Sequence, residues 1–296
     1  MIRPTLRALL AATISLVIAD VHSAPAQTAV TSCEQVLQGD GYLSGDLNCG
    51  PNTEAAVEIR PGGTLDMRGF AIHGGEYGVL CSGPATTISG MTVYPYAPCR
   101  VFGGGTIDGP SVVGIVASRL DLADVTINTD AYGLIIHRSL SFTNVNLQLG
   151  GPYAVGIGAA VTAPLVGTGL TVTGGASAIE NGGRVKIDGV TASGYRTFAQ
   201  TPRTVRLANA SLTGGERAIR DFSDDPCISR CPRTAQVTMT DSVVTGHSGS
   251  AIKANRIRLI RSTVTGNGLD LQAEHRPRLR DSTCQTSNGW GVCTND

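Results

Sequence analysis

A phrase of about eight residues returns along most of the chain at a spacing near twenty, and no other feature restricts the fold so strongly. It reads Leu120, Leu122, Val125, Ile127, then Leu140, Phe142, Val145, Leu147, and again Val185, Ile187, Val190, Ala192 and Val205, Leu207, Ala210, Leu212. After a longer gap it resumes at Val237, Met239, Ser242, Val244, continues at Ile257, Leu259, Ser262, Val264 and closes at Pro277, Leu279, Ser282, Cys284. Self-similarity at one fixed period marks a solenoid, in which each repeat buries its apolar side only against its neighbours.

Spacing inside the phrase says which solenoid. Inward residues two apart, such as Val205 and Leu207, require a strand, because side chains alternate between faces along β structure. The next pair, Ala210 and Leu212, begins three residues after Leu207, so the parity shifts and the chain must bend between two short strands. At the bend stand Gly69, Gly104, Asp124, Asn144, Gly169, Gly189, Asn209, Asp241 and Asp281, with Arg261 breaking the column. Glycine and asparagine tolerate positive φ, so a left-handed turn residue stacked coil upon coil is expected. Two residues further, Thr126, Asn146, Thr171, Thr191, Ser211, Thr263 and Thr283 make an outward column suited to strands, and Gly174, Gly194, Gly214, Gly246 and Gly266 end the second strand. A further apolar segment, such as Ala218-Ile219 or Ala251-Ile252, completes each turn as a third strand.

Through this phrase, and through Gly63-Thr64-Leu65-Asp66 and Gly103-Gly104-Gly105-Thr106-Ile107-Asp108-Gly109, residues 55 to 290 resemble the right-handed β-helix superfamily, which includes pectate lyases, polygalacturonases and NosD-like repeat proteins. The expected fold is therefore all-β: a single-stranded right-handed parallel β-helix with three short strands per coil. About ten coils, stacked at the usual strand separation, give a rod roughly 45 to 50 Å long. Earlier copies start near Leu65, Thr86 and Arg100; the last two are 14 residues apart, so one of them is expected to be abbreviated. The domain plan is a leader at 1–26, an N-terminal cap at 27–54, the β-helix at 55–283 with an insertion at 221–235, and a disulfide cap at 284–296.

Residues 1–26 carry Arg3 and Arg7, an apolar run from Ala8 to Ala19, and Ala24-Pro25-Ala26, the pattern of a secretory leader. The apolar run is too short for a membrane span, which takes roughly 20 residues, so a secreted or periplasmic protein without a membrane span is expected. Eight cysteines then fall in local pairs, Cys33 with Cys49, Cys81 with Cys99, Cys227 with Cys231 and Cys284 with Cys293, which in an oxidising compartment favours four disulfides. Cys227 and Cys231 as metal ligands are the alternative, but no second Cys or His pair stands nearby at zinc spacing.

Net charge is zero, yet it is polarised. Residues 27–183 hold 5 Lys/Arg against 12 Asp/Glu, a balance of −7, whereas residues 184–280 hold 16 against 8, a balance of +8. The basic residues keep phase with the repeat: Lys186, Arg206, Arg258 and Arg278 sit between the first two core residues of their phrases, and Arg184, Arg256 and Arg276 just precede them. Residues at one phase stack about 4.8 Å apart, so a basic stripe on one sheet is expected. Guanidinium forks grip carboxylate, sulfate or phosphate, which makes the stripe a track for an extended polyanion. The opposing reading is decoration of an exposed sheet, with the cations paired to Asp188, Asp241, Asp270, Glu274 and Asp281.

Four fragments, Asn128-Thr129-Asp130, Asp224-Asp225, Gly246-His247-Ser248-Gly249 and Arg256-Ile257-Arg258, resemble polygalacturonase motifs in order. In that family the two acidic motifs lie on adjacent coils. Here Asp130 and Asp224 are 94 residues apart, which is four or more coils and close to 20 Å along the axis. Paired carboxylates of an inverting hydrolase stand roughly 6.5 to 9.5 Å apart, so Asp130 cannot share a site with Asp224 and Asp225. A smaller acid–base set remains, with Asp224 and Asp225 in the insertion, His247 one coil later and Arg258 in the place of the family's lysine; the competing and preferred reading is a solvated, disulfide-pinned loop that merely interrupts the repeat. The resemblance to pectate lyases implies calcium and a basic residue as proton acceptor, but Asp66 and Asp121 have the right phase in the wrong half, so no cofactor is assigned. Aromatic residues are only 4% of the chain, which weakens a processive sugar groove; Tyr132 and Tyr153, nearly in phase on adjacent coils, are candidates to line a sugar site.

Two functions compete on these grounds. One is a secreted carbohydrate-active lyase, hydrolase or epimerase on an acidic polysaccharide, expected to be monomeric, with Arg184, Lys186, Arg206, Arg256, Arg278, Tyr132 and Tyr153 binding substrate. The other is a non-catalytic rod for an anionic polymer or a protein partner. Nucleic acid has the matching charge but belongs to the wrong compartment.

Overall fold

The computed structural model describes residues 26–84, 86–88, 91–93, 95–160, 162–181, 183–200, 203–220 and 236–296. Their chain winds into a right-handed parallel β-helix of about 11 turns, without any helix. One long strand, Tyr132–Leu149, runs round all three sides of a coil and shows the plan in miniature. Its first part pairs with Val155–Ala159 on what we call the third sheet, its middle with Leu165–Gly174 on the first sheet, and its last part with the same strand on the second sheet.

Each sheet contributes alternate residues to one continuous core. Leu122, Phe142, Ile187, Leu207, Met239 and Leu259 from the first sheet meet Ile127, Leu147, Val172, Leu212 and Val264 from the second and Ile115, Leu134, Ile157, Ile179 and Ile252 from the third, all nearly or fully buried. Burying such a side chain contributes about 1.5–3 kcal/mol, while an exposed ion pair contributes about 0–1, so stacking of aliphatic rungs and not surface charge holds the rod together. Volume is matched between coils as well. Gly167 stands opposite Phe142 in the ladder, and a Cβ there would come within 2.4 Å of the Phe142 ring.

The bend column has the expected conformation in every copy. Asp124, Asn144, Asn209, Asp241 and Asp281 have φ between 50° and 56°, and Gly69, Gly104, Gly169 and Gly189 between 66° and 80°. Arg261, the exception in residue type, adopts the same left-handed conformation at φ 47°. Its guanidinium forks onto Asp241 of the preceding coil through Nε–Oδ1 and Nη2–Oδ2 contacts of 2.6 Å, which lowers the Asp241 carboxyl below its usual range. Below it the corner carries a serine ladder: Ser262 Oγ accepts the Ser242 N–H at 3.2 Å, Ser282 Oγ accepts the Ser262 N–H at 3.1 Å, and Ser262 Oγ donates to the Ile260 carbonyl at 2.8 Å.

Two expectations about the coils change. The segment at Thr86 is no abbreviated coil: Thr86–Ile88 and Met91–Val93 form an antiparallel hairpin of their own, while Arg100–Phe102 pairs directly with Thr64–Asp66. The Cys81–Cys99 disulfide ties the neck of this excursion. Residues 27–54 are more than a cap, because Gln35–Leu37, Gly41–Leu43 and Leu47–Asn48 already pair with the three sides of the coil above. That additional coil escapes the repeat because Gly41 stands where the phrase has an aliphatic, its space being taken by Leu37.

At the other end Cys284 is joined to Cys293, and Trp290 Nε1 donates to the Ala273 carbonyl at 3.0 Å. Asp270, with no exposed surface, accepts the N–H groups of Gln285 at 2.6 Å and Thr286 at 3.1 Å, pinning the cap over the third sheet. Cys33–Cys49 completes three disulfides, which fit an oxidising environment. Cys227 and Cys231, with the rest of residues 221–235, lie outside the described residues, as do residues 1–25. Among the described residues no helix is long and apolar enough to cross a membrane.

Candidate functional site

The ladder on the first sheet places the predicted stripe in register. Lys186 pairs with Arg206, Arg206 with Thr238, Thr238 with Arg258 and Arg258 with Arg278. Alongside runs a second column in which Arg184 pairs with Thr204, Thr204 with Gln236 and Gln236 with Arg256. Alternation forces this outcome: Val185, Ile187, Val205 and Leu207 turn into the core, so their neighbours must face solvent. All six basic side chains are exposed.

None of Arg184, Lys186, Arg206, Arg256, Arg258 and Arg278 makes an ion pair among the described residues. The carboxylates that a decorative stripe would use are engaged elsewhere. Asp241 is held by Arg261, Asp281 lies 3.7 Å from Arg280, Asp188 accepts Asn209 Nδ2 at 2.6 Å, Glu274 accepts Asn255 Nδ2 at 2.7 Å, and Asp270 is buried against backbone. The same column in the N-terminal half is self-neutralised, because Arg100 lies 3.4 Å from Asp121 on the adjacent rung. Like charges stacked on neighbouring strands repel, so the unpaired cations raise the local positive potential. A shallow groove of about 520 Å³ runs over this face, lined by Val166 and Gly167 at one end and by Lys186, Arg206 and Thr238 at the other.

The remaining predicted residues go elsewhere. Asp224 and Asp225 lie outside the described residues. His247 points into the corner between the second and third sheets and is only 2% exposed. Its Nε2 meets the Tyr195 hydroxyl at 2.9 Å and its Nδ1 meets Asn267 Oδ1 at 3.0 Å; Asn267 Nδ2 then donates to Asp270 Oδ1 at 2.9 Å. Burial pushes the Tyr195 phenol up and keeps it protonated, so Tyr195 donates to Nε2 and the Nδ1 proton goes to Asn267. Both imidazole nitrogens are thus engaged inside the rod, and in this conformation His247 presents neither to a bound polymer. Tyr132, on the third sheet, and Tyr153, in the turn before Val155–Ala159, are exposed but lie off the first sheet that carries the stripe.

Sequence reading missed the Tyr195–His247–Asn267–Asp270 chain. A signal exists in the residues that follow the second glycine column, Gly175, Tyr195, Gly215, His247 and Asn267: absent and bulky side chains alternate over the first four. With no side chain at Gly215, Tyr195 reaches past that coil to His247, two coils on.

Burial holds the His247 pKa below the ordinary 6.5, against the opposing Asn267 hydrogen bond. Lowered native affinity for a proton means that the unfolded chain binds more protons, so this contribution is complete above the unfolded value and is lost as pH falls below it. The thermal midpoint of the protein is expected to drop between pH 7 and pH 5, and His247→Gln is expected to flatten that part of the profile. A parent profile level across this window would show that the buried imidazole is not coupled to folding.

Comparison of the chain with protein-family models, with curated proteins and with solved structures finds no match in any of the three.

Proposed function

We propose that this chain is a secreted carbohydrate-binding β-helix that holds an extended acidic polysaccharide along its first sheet, as its resemblance to the pectate lyase and polygalacturonase superfamily implies. One observation carries the reading: Lys186, Arg206, Arg258 and Arg278 lie on one column, exposed and without intramolecular carboxylate partners. A polyuronate or sulfated glycan carries its charges at intervals along an extended chain. A β-helix side repeats every 4.7–4.9 Å or so, which lets successive rungs address successive charges. Arginine forks then bind carboxylate or sulfate in bidentate fashion. The disulfides favour an oxidising compartment, where polysaccharide is a more available polyanion than nucleic acid.

The test is to incubate the mature protein with a panel of polyuronate and sulfated oligosaccharides, with and without calcium, measuring both affinity and product mass. Salt-sensitive binding to members of the panel with unchanged masses is the expected result. No binding to any member overturns the proposal. Fragments that sum to the substrate mass would replace it with a lyase, and fragments gaining one water with a hydrolase; Asp224→Asn and Asp225→Asn would then show whether the insertion supplies the chemistry.

A further inference from the structure

A second concavity lies on the other side of the rod, in the acidic half. It is a cleft of about 700 Å³ at the corner between the second and third sheets, lined by Asp108, Ser111, Asn128, Asp130, Gln148 and Thr173. Its floor follows from the ladder. Asp108 pairs with Asn128, Asn128 with Gln148 and Gln148 with Thr173, so a carboxylate, two amides and a hydroxyl stand above one another on the outward column of the second sheet. This ladder is not closed on itself, because Asn128 Oδ1 is enclosed without a hydrogen-bond partner among the described residues.

The concavity is built by glycine. A Cβ on Gly150 would come within 2.2 Å of Asp130 Oδ1, and one on Gly151 within 2.3 Å of the Asp130 carbonyl. Any side chain at these two positions would force the corner apart and fill the cleft. Past the corner stand two exposed tyrosines, Tyr132 at the start of its third-sheet strand and Tyr153 in the turn before Val155–Ala159. Tyr132 follows Asp130 by two residues and is 39% exposed; Tyr153 follows Gly150 by three and is 86% exposed. The Tyr132 ring lies against the neighbouring coil at Gly158, where an added Cβ would stand 3.5 Å from ring Cδ1. Tyrosine at 86% exposure gains nothing from the core, so packing does not account for Tyr153.

Vicinal acceptors and donors beside aromatic rings are the chemistry that recognises a pyranose: the hydroxyls bond to carboxylate and amide groups while the C–H faces lie on the rings. Sign of charge narrows the ligand. Asp108 lies 3.3 Å from His73 Nδ1, but Asp130 has no cation beside it among the described residues, so the cleft repels uronates and sulfates. We infer that the Asp108–Asn128–Asp130–Gln148 cleft, with Tyr153 in the turn that follows its Gly150 wall, is a binding site for an uncharged oligosaccharide, distinct in place and in charge preference from the basic stripe.

The experiment titrates the full mature protein with soluble oligosaccharides of glucose, mannose, xylose and N-acetylglucosamine, following calorimetric heats and tyrosine resonances. Binding of at least one of them is expected, insensitive to salt. Tyr153→Ala is expected to weaken it about tenfold, the worth of one aromatic contact, while Tyr153→Phe retains it. Gln148→Ala, on the cleft floor, should weaken it while circular dichroism confirms the fold. An Arg206→Gln, Arg258→Gln double variant should bind the neutral sugar as the parent does. Absence of binding across the panel at millimolar concentration overturns the inference, as does an unchanged affinity in the Tyr153→Ala variant or loss of neutral-sugar binding in the arginine variant. Failure of the stripe to hold acidic glycans would leave these outcomes untouched.

Discussion

Replacing Arg206 and Arg258 together with glutamine is expected to lower the affinity for an acidic polysaccharide by at least about a hundredfold, since each charge-assisted hydrogen bond contributes about 1.5–3 kcal/mol. Folding should be unharmed. Both side chains are exposed and make no ion pair among the described residues, so their removal breaks no native contact and relieves repulsion along the column. Arg261→Gln is the matched control. It removes the same charge from the same region but breaks the fork onto Asp241, so it should cost stability and spare binding. Affinity chromatography on an immobilised polyuronate, with a salt gradient, reads the first effect; thermal unfolding reads the second. Equal retention of the double variant and the parent would sink the stripe as a binding surface.

Asp270→Ala should destabilise the C-terminal coils by about 1–3 kcal/mol, because it removes a fully buried acceptor from two backbone N–H groups at once. The carboxylate holds Gln285 N, Thr286 N and Asn267 Nδ2, and Asn267 in turn supports His247. Loss should therefore spread along the axis through the buried chain toward Tyr195, while the N-terminal coils keep their own contacts, as expected of a solenoid whose repeats touch only neighbours. Hydrogen exchange is the direct measurement: faster exchange at 263–273 and in the cap, with protection kept at 120–150, is the expected pattern. Uniform protection in the variant would mean that the cap does not depend on Asp270.

The periodic part of this fold was readable without coordinates because β-helix geometry is written into single residues. Positive φ at the bend restricts residue type, so Gly, Asn and Asp mark it, and alternation fixes which positions face outward. That is why the stripe Lys186, Arg206, Arg258, Arg278 emerged in the right register. What stayed hidden depends on relations between coils. The Thr86 segment has strand-like alternation but closes on itself as a hairpin, which only the direct pairing of Arg100 with Thr64 reveals. Gly246-His247-Ser248-Gly249 has the look of an exposed catalytic motif, yet its histidine turns inward because Gly215, one coil away, leaves room for Tyr195 to reach it. The cleft in the acidic half escaped for a similar reason: Asp108, Asn128 and Gln148 are ordinary polar residues until the ladder puts them on top of one another.

Thr238, the one uncharged residue within the column, turns the stripe into a ruler with two marks. Lys186 and Arg206 form one cationic dyad, Arg258 and Arg278 the other, and two rungs, about 10 Å, separate Arg206 from Arg258. On the proposed function, an oligosaccharide shorter than that gap would engage one dyad at a time. A longer one engages both, and its second contact forms at the high effective concentration set by the first. Affinity should therefore rise in a step with chain length rather than in proportion to it, and the length at which the step falls reports the spacing of charge along the ligand.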